Sequence, residues 1–164
     1  MPDTSPKAYI EVSQALIHFH GRYLMQLRDF KEGVESPGHW GFFAGHVEQG
    51  ESPEQTIWRE IKEELCWQPE AFRHLGDLTF SERRMHIFVC QLKKDIESLT
   101  LMEGEEIGVF SPEEIIANKL YSKSRKATFP ITEISKKVFD KFCPSLDRKR
   151  SDSTENKTSK NLAQ

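Results

Sequence analysis

The feature that most constrains how this chain can fold is a capped helix that begins after Ser52. Ser52 can serve as the N-cap, Pro53 suits the first helical position, and Gln55 completes a capping box. These signals predict a helix over residues 53–65. At about 100° per residue, its apolar side chains fall on one stripe. The members of this stripe are Ile57, Ile61 and Leu65. Such a stripe predicts that the helix packs on a sheet.

Aromatic and branched residues, separated by turn-forming residues, predict the strands of that sheet. These segments lie at residues 9–19, 23–27, 40–44, 75–80, 85–92 and 107–110. The first and second segments are expected to form one hairpin, and the fourth and fifth another. Two further helices are expected, one capped by Ser111 and one after Pro130. The order of strands, helix, strands and helices predicts an α+β fold with sandwich-like layers.

The length of 164 residues suffices for one domain with a sizeable core. The last seventeen residues, 148–164, are mostly polar and carry five basic and two acidic side chains. Such a segment buries too little apolar surface to offset its ordering entropy. We therefore expect a single domain over residues 1–147 and a disordered tail over residues 148–164.

The net charge limits the partners that the chain can bind. It is −3 overall, and the +3 of the tail leaves −6 on residues 1–147. An acidic body argues against a nucleic-acid polymer as partner, since that binding needs a basic stripe. No apolar run is long enough to span a membrane, so no membrane partner is expected. Three widely spaced cysteines indicate reduced thiols, and we expect a cytoplasmic protein.

Three carboxylates lie beside the apolar stripe of the predicted helix. Glu60, Glu63 and Glu64 share one arc, where like charges repel by a few tenths of a kcal/mol per pair. Arg59 can pair with Glu63 at i+4, which leaves Glu60 and Glu64 short of a partner. A solvated acidic face is the simpler explanation. The cluster borders the buried stripe, however, and this position favours a divalent hard cation such as Mg²⁺.

The spacing around this cluster resembles a known family motif. Gly45 is followed after five residues by Glu51, and after seven more by the run Arg59–Glu64. This pattern resembles the Nudix box, G-x5-E-x7-R-E-U-x-E-E-x-G-U, in which U is a bulky apolar residue. The similarity covers residues 45–67, and residues 40–44 resemble the strand that leads into the box.

Two positions depart from the box. Cys66 stands where the family has glycine, and Trp67 stands where it has a bulky aliphatic residue. Glycine after a helix usually supplies a left-handed residue. The helix is therefore expected either to run on by a residue or two or to leave by a different turn.

The resemblance implies an α/β/α sandwich with a mixed central sheet and a catalytic loop-helix. It also implies hydrolysis of a diphosphate linkage in a nucleoside diphosphate joined to another group, with Mg²⁺ as cofactor and Mn²⁺ as a substitute. Carried over to this chain, the implied metal ligands are Glu60, Glu64, Glu63 directly or through water, and the Ala44 carbonyl. Glu51 and Arg59 would brace the loop against the helix, and Glu51 could also hold a metal-bound water.

The base that activates the attacking water is expected in the acidic loop of residues 102–106. Glu103 is the candidate there, with Glu105 and Glu106 as neighbours, and a charged surface loop is an equally weighted alternative.

Four residues are candidates for contact with the substrate. They are Arg28, Trp40, Phe43 and His46. Core packing is the more common role of the two aromatic residues in strands, and a solvated loop histidine is as common as a substrate contact.

Two functional hypotheses remain open. The first is an active hydrolase of nucleotides, oxidised nucleotides or nucleotide sugars, and the second is a catalytically silent binding or sensing module. Silent relatives are expected to lose box carboxylates, which this chain keeps. The expected partner is a small nucleoside diphosphate derivative, and a homodimer is compatible with the sequence.

Overall fold

The computed structural model describes residue 1 and residues 5–144. The described residues fall into two compact units, one of residues 1 and 5–132 and one of residues 133–144. The expected tail, residues 148–164, lies outside the described residues, and a single domain over residues 1–147 stays a prediction. In the described part of the chain, no helix has the length and apolar character needed to cross a membrane.

A mixed sheet forms the centre of the first unit. Its strands are β1 (Ile10–Phe19), β2 (Arg22–Leu27), β3 (Trp40–Gly41), β4 (Phe43–His46), β5 (Arg73–Phe80), β6 (Arg83–Gln91) and β7 (Glu106–Phe110). The order is β3-β2-β1-β6-β5, with β4 paired to β1 and β7 paired to β2. Strands β1 and β6 are parallel, and the other pairings in this sheet are antiparallel. The α+β class with a mixed central sheet is confirmed, and so are both predicted hairpins.

The predicted strand at residues 40–44 is two strands with different partners. Strand β3 pairs with β2, and β4 pairs with β1, so the chain changes neighbour at Phe42. A second pair of strands was not expected from the sequence. Strands β8 (Leu120–Ser122) and β9 (Ala127–Phe129) form a small antiparallel sheet.

The helices begin where their caps predict. Helix α1 is Pro53–Leu65, and the Ser52 side chain accepts a hydrogen bond from the Gln55 backbone within a complete capping box. Helix α2 is Pro112–Ala117, with the same arrangement at Ser111. The second unit contains a helix over residues 133–144, which confirms the helix expected after Pro130.

The end of α1 differs from both expected alternatives. The helix stops after Leu65, and Cys66 itself adopts the left-handed conformation, with φ of 48°. A residue with a Cβ pays about 1–2 kcal/mol for that conformation. The missing box glycine therefore leaves the turn intact and makes it more strained.

The apolar stripe of α1 packs on one face of the sheet. It joins a buried cluster of Ala15, Ile17, Leu24, Phe43, Ile57, Ile61, Leu65, Phe88, Cys90, Leu92 and Leu99. Burial of the stripe fixes the rotation of α1 about its axis. The carboxylates beside the stripe are thereby held at the edge of the contact between helix and sheet.

The strain at Cys66 is testable by comparing two substitutions that both remove the thiol. We expect Cys66→Gly to be more stable than Cys66→Ala by about 1 kcal/mol, because only alanine keeps a Cβ in the left-handed conformation. In a chain of this size that difference is about 2–4 °C in melting temperature. Thermal unfolding of both variants would measure it, and an alanine variant as stable as the glycine variant would contradict it.

Candidate functional site

The Glu60 side chain lies against strand β4, where Gly45 makes room for it. A Cβ at position 45 would lie only 2.0 Å from the Glu60 Cδ atom and 2.1 Å from its Oε1. Glycine is therefore required here for close approach of side chain and strand. Burial raises the pKa of Glu60, while a hydrogen bond from Arg59 Nη1 at 2.7 Å opposes that rise.

Glu64 is the most deeply buried acidic residue of α1, with 5% of its surface exposed. Its Oε2 atom is buried without a hydrogen-bond partner among the residues that the structure describes. Burial raises the pKa of Glu64 to about 9, and the negative charges of Glu60 and Glu103 add to the rise. A carboxylate in this position needs either a proton or a cation.

The acidic loop that follows residue 99 is fixed to the end of α1. The Met102 backbone N–H donates to the Glu64 carbonyl at 2.8 Å, and the Glu105 N–H donates to the Leu27 carbonyl at 2.9 Å. Between these two anchors, the loop brings the charge of Glu103 close enough to raise the pKa of both Glu60 and Glu64. Three carboxylates, Glu60, Glu64 and Glu103, therefore converge at the end of α1.

The neighbours of Glu103 are bound elsewhere. Glu105 accepts from Arg125 Nε at 2.7 Å, and Glu106 accepts from the Ser122 hydroxyl at 2.5 Å and the Lys123 N–H at 2.9 Å. Both carboxylates are therefore paired within the described part of the chain. The partners come from the β8–β9 turn, which the sequence did not indicate as a strand pair.

Glu51 and Arg59 form the predicted brace between loop and helix. Arg59 Nε donates to Glu51 Oε1 at 2.6 Å, and Nη2 donates to Oε2 at 3.1 Å. Thr56 donates to the same carboxylate at 2.8 Å. The bonds from Arg59 and Thr56 lower the pKa of Glu51 to about 2. Glu51 is thus held as an anion by its partners.

Arg59 has a wider role than the sequence indicated. It contacts Glu63 at 3.3 Å, as expected, but it also contacts Glu60 at 2.7 Å. Glu60 therefore has a cationic partner that the i+4 argument did not assign to it. Glu63 is exposed, and Ala44 is half-buried in β4 next to Gly45.

Of the four expected substrate contacts, two lie near the carboxylates. Arg28 follows β2 directly, and its positive charge partly opposes the rise in the pKa of Glu64. His46 is exposed at the end of β4, and its carbonyl accepts a hydrogen bond from Arg59 at 3.2 Å. Since the Arg28 charge acts on the buried Glu64 carboxylate, its guanidinium can contact an anion held by the same site.

The other two, Trp40 and Phe43, are buried in the core. Both side chains are 0% exposed, and Trp40 Nε1 donates to the Leu120 carbonyl at 3.1 Å. Neither ring can stack on a ligand without a change in packing. For these two residues the core alternative describes the structure.

The arrangement fits a hard divalent cation. Three carboxylates converge, one buried oxygen lacks a partner within the described chain, and the Ala44 backbone lies in the strand beside Glu60. Mg²⁺ prefers carboxylate and carbonyl oxygens and keeps several waters. The positive charge of such an ion would stabilise the ionised form of Glu64. Without a cation, burial and repulsion from the neighbouring carboxylates favour the protonated form.

Comparisons with solved structures show the same fold. The MutT NUDIX hydrolase of Burkholderia pseudomallei is 18% identical with a TM-score of 0.62, over 80% of this chain and 95% of that chain. The NUDIX domain of Shewanella oneidensis NrtR, solved in complex with ADP ribose, is 13% identical with a TM-score of 0.61, over 85% and 90%. The E. coli ORF135 protein is 29% identical with a TM-score of 0.50, over 65% and 76%.

Sequence comparisons identify a family for this chain rather than an individual similar protein. Comparison with curated proteins found no match. A sequence model of the NUDIX domain, in contrast, matches residues 11–130, which include Gly45, the brace of Glu51 and Arg59, and the carboxylates of α1. Because this match takes in most of the chain and its whole candidate site, the chain belongs to the NUDIX domain family.

Proposed function

We propose that this chain is an Mg²⁺-dependent hydrolase that cleaves a diphosphate linkage in a nucleoside diphosphate joined to another group. The observation that carries the proposal is the convergence of Glu60, Glu64 and Glu103, with the buried Glu64 Oε2 lacking a partner among the described residues. Mn²⁺ is expected to substitute for Mg²⁺, and a cytoplasmic setting suits such a substrate.

Each residue of the site has a distinct part in the proposed reaction. Glu60, Glu64 and the Ala44 carbonyl would hold the metal, with Glu63 as a further ligand directly or through water. When bound, Mg²⁺ neutralises charge on the phosphate oxygens and lowers the pKa of water. Glu51 and Arg59 hold the loop on the helix.

The remaining steps belong to residues outside the box. Arg28, with its charge close to Glu64, would bind a phosphate oxygen and orient the substrate. Glu103 would take the proton from the attacking water, because Glu105 and Glu106 are already bound by Arg125 and by the β8–β9 turn. His46 is an exposed candidate for contact with the leaving group.

The alternative function is a silent module that binds a nucleotide derivative without cleaving it. The relative from Shewanella oneidensis was solved with ADP ribose, which favours a small nucleotide derivative as the ligand for either function. Retention of Glu51, Glu60, Glu63 and Glu64 favours the enzyme.

A substrate screen with and without metal tests the proposal. Nucleotide sugars, dinucleoside polyphosphates, ADP-ribose and canonical or oxidised dNTPs should be incubated with Mg²⁺, and phosphate products measured. We expect hydrolysis of at least one class, its loss with EDTA, and its return with excess Mg²⁺ or Mn²⁺. Activity that survives exhaustive chelation would contradict the metal role, and binding without turnover across the screen would favour the silent module.

Glu64→Gln separates the metal ligand from the fold. The amide keeps the shape but lacks the charge, so we expect turnover to fall by about 10²-fold or more. In metal-free protein, the substitution also removes the free-energy cost of burying a charged carboxylate. The folded pKa of about 9 lies above the ordinary value of 4.5, so the stabilising contribution of this group is complete below pH 4.5 and is lost as the pH rises towards 9.

Thermal unfolding in EDTA measures this second effect. Wild-type protein is expected to lose more stability than Glu64→Gln as the pH rises through that window. Glu54→Gln is the matched control, since Glu54 is exposed in the first turn of the same helix. Near-normal turnover in Glu64→Gln would rule out Glu64 as a principal ligand.

Glu103→Gln tests the assignment of the base. We expect turnover at saturating Mg²⁺ to fall about 10²- to 10⁴-fold, the usual contribution of a general base. Metal affinity should change less than in Glu64→Gln. Glu105→Gln is the control, because Glu105 is paired with Arg125. Equal small losses of turnover in both variants would indicate that the loop has only a structural role.

A further inference from the structure

A second cluster of metal-ligating side chains lies on strands β5 and β6, outside the candidate active site. His74 Nε2 and His86 Nδ1 each lie 2.9 Å from the Asp77 Oδ1 atom. The three ligand atoms lie within 4.8 Å of one another. Two Zn²⁺–ligand bonds of about 2.0–2.1 Å at the tetrahedral angle place their ligand atoms about 3.3–3.4 Å apart. Small movements of these side chains would therefore bring the three ligand atoms around one ion.

A β-bulge brings these side chains to one face. His74 and Asp77 are three residues apart, so regular alternation would put them on opposite faces of β5. The register shifts between His74 and Gly76, however, so that His74 lies opposite Phe88 and Asp77 lies opposite His86. Because Phe88 and His86 share a face of β6, the extra residue aligns His74, Asp77 and His86. Bulges of this kind commonly re-aim a side chain near a functional site.

Glu11 supports the cluster from the neighbouring strand. Its Oε2 atom lies 2.5 Å from His86 Nε2, and its Oε1 atom accepts from Arg84 at 3.2 Å. A carboxylate on the far nitrogen fixes the ring and directs the other nitrogen of the histidine to a metal, which is the usual outer contact of a histidine ligand. His86 thus has the orientation that a metal ligand requires.

The exposure of the cluster leaves room for an ion with open positions. The side chains of His74 and Asp77 are 50% and 47% exposed, whereas that of His86 is 13% exposed. Strand β5 is an edge of the sheet, so the cluster is reached directly from solvent. Water or an external ligand could complete the coordination shell.

We propose that His74, Asp77 and His86 form a second metal site, selective for a borderline divalent ion such as Zn²⁺. Two imidazoles and one carboxylate suit Zn²⁺ and similar transition metals, whereas Mg²⁺ prefers oxygen ligands alone. No ligand is shared with Glu60, Glu64 or Glu103. The site would tie the β5 edge to β6, independently of the proposed hydrolysis.

Calorimetric titration of the full chain with ZnCl₂, in the presence of excess Mg²⁺ to occupy the carboxylates of α1, tests the proposal. We expect one tightly bound Zn²⁺ per chain. His74→Asn and Asp77→Asn should each weaken binding by more than about 100-fold, and Glu11→Gln by about 10- to 100-fold as an outer contact. Glu64→Gln should leave the stoichiometry unchanged.

His20→Asn is the matched control, since His20 is exposed in the β1–β2 turn at the opposite end of β1 from Glu11. In wild-type protein, nuclear magnetic resonance should show that Zn²⁺ shifts the imidazole signals of His74 and His86 and leaves that of His20 in place. This measurement does not depend on variants that fold. Absence of Zn²⁺ binding, or equal binding by wild-type, His74→Asn and Asp77→Asn proteins, would show a hydrogen-bonded network only and overturn the proposal.

Discussion

The packing of α1 on the sheet fixes the position of the acidic groups of the helix. Ile57 and Ile61 are fully buried, so the helix cannot rotate and bring Glu64 into water without exposing its apolar stripe. Gly45 supplies the space that the Glu60 side chain occupies on the strand side of the same contact. Burial of apolar surface, worth about 25 cal/mol per Å², thus holds charged groups where a charge is costly.

The acidic residues around the site divide into two electrostatic groups. Glu51, Glu105 and Glu106 are satisfied by hydrogen bonds and ion pairs, and the pKa of each is lowered. Glu60 and Glu64 have raised pKa values, chiefly because they are buried. In the first group, Glu51 braces the loop before α1, and Glu105 and Glu106 hold the end of the acidic loop. The second group creates the demand for positive charge, so the proposed metal site depends on the contrast between the two groups rather than on the total number of acidic residues.

The local parts of this structure could be read from the sequence, and the parts made by distant residues could not. Ser52, Pro53 and Gln55 define the start of α1 within one turn, and the structure begins the helix there. The burial of Trp40 and Phe43 agrees with the more common role of aromatic residues in strands, although a strand's apolar residues alone do not reveal whether its face is covered. The contact between Arg59 and Glu60 depends on the conformations of two neighbouring side chains, which the sequence pattern does not specify.

The same limit explains the other differences. The pairing of Glu105 with Arg125 joins residues 20 positions apart, and no local pattern encodes it. The bulge that aligns His74 with Asp77 depends on the register of β5 against β6, which a single sequence leaves open. The loop of residues 102–106 was recognisable as acidic with Glu103 as the candidate base, but the sequence did not indicate the distant partners that bind Glu105 and Glu106.

The anchoring of the acidic loop also has a kinetic consequence. Glu103 lies between two anchors, and one of them adjoins the β2–β7 ladder, which joins Leu27 to Glu106, 79 positions further along the chain. Closing so long a loop is slow compared with forming a helix or a hairpin. On this basis we expect the third carboxylate to join the cluster late in folding. We expect cations that relieve the repulsion among the three carboxylates to lower the rate of unfolding far more than they raise the rate of folding.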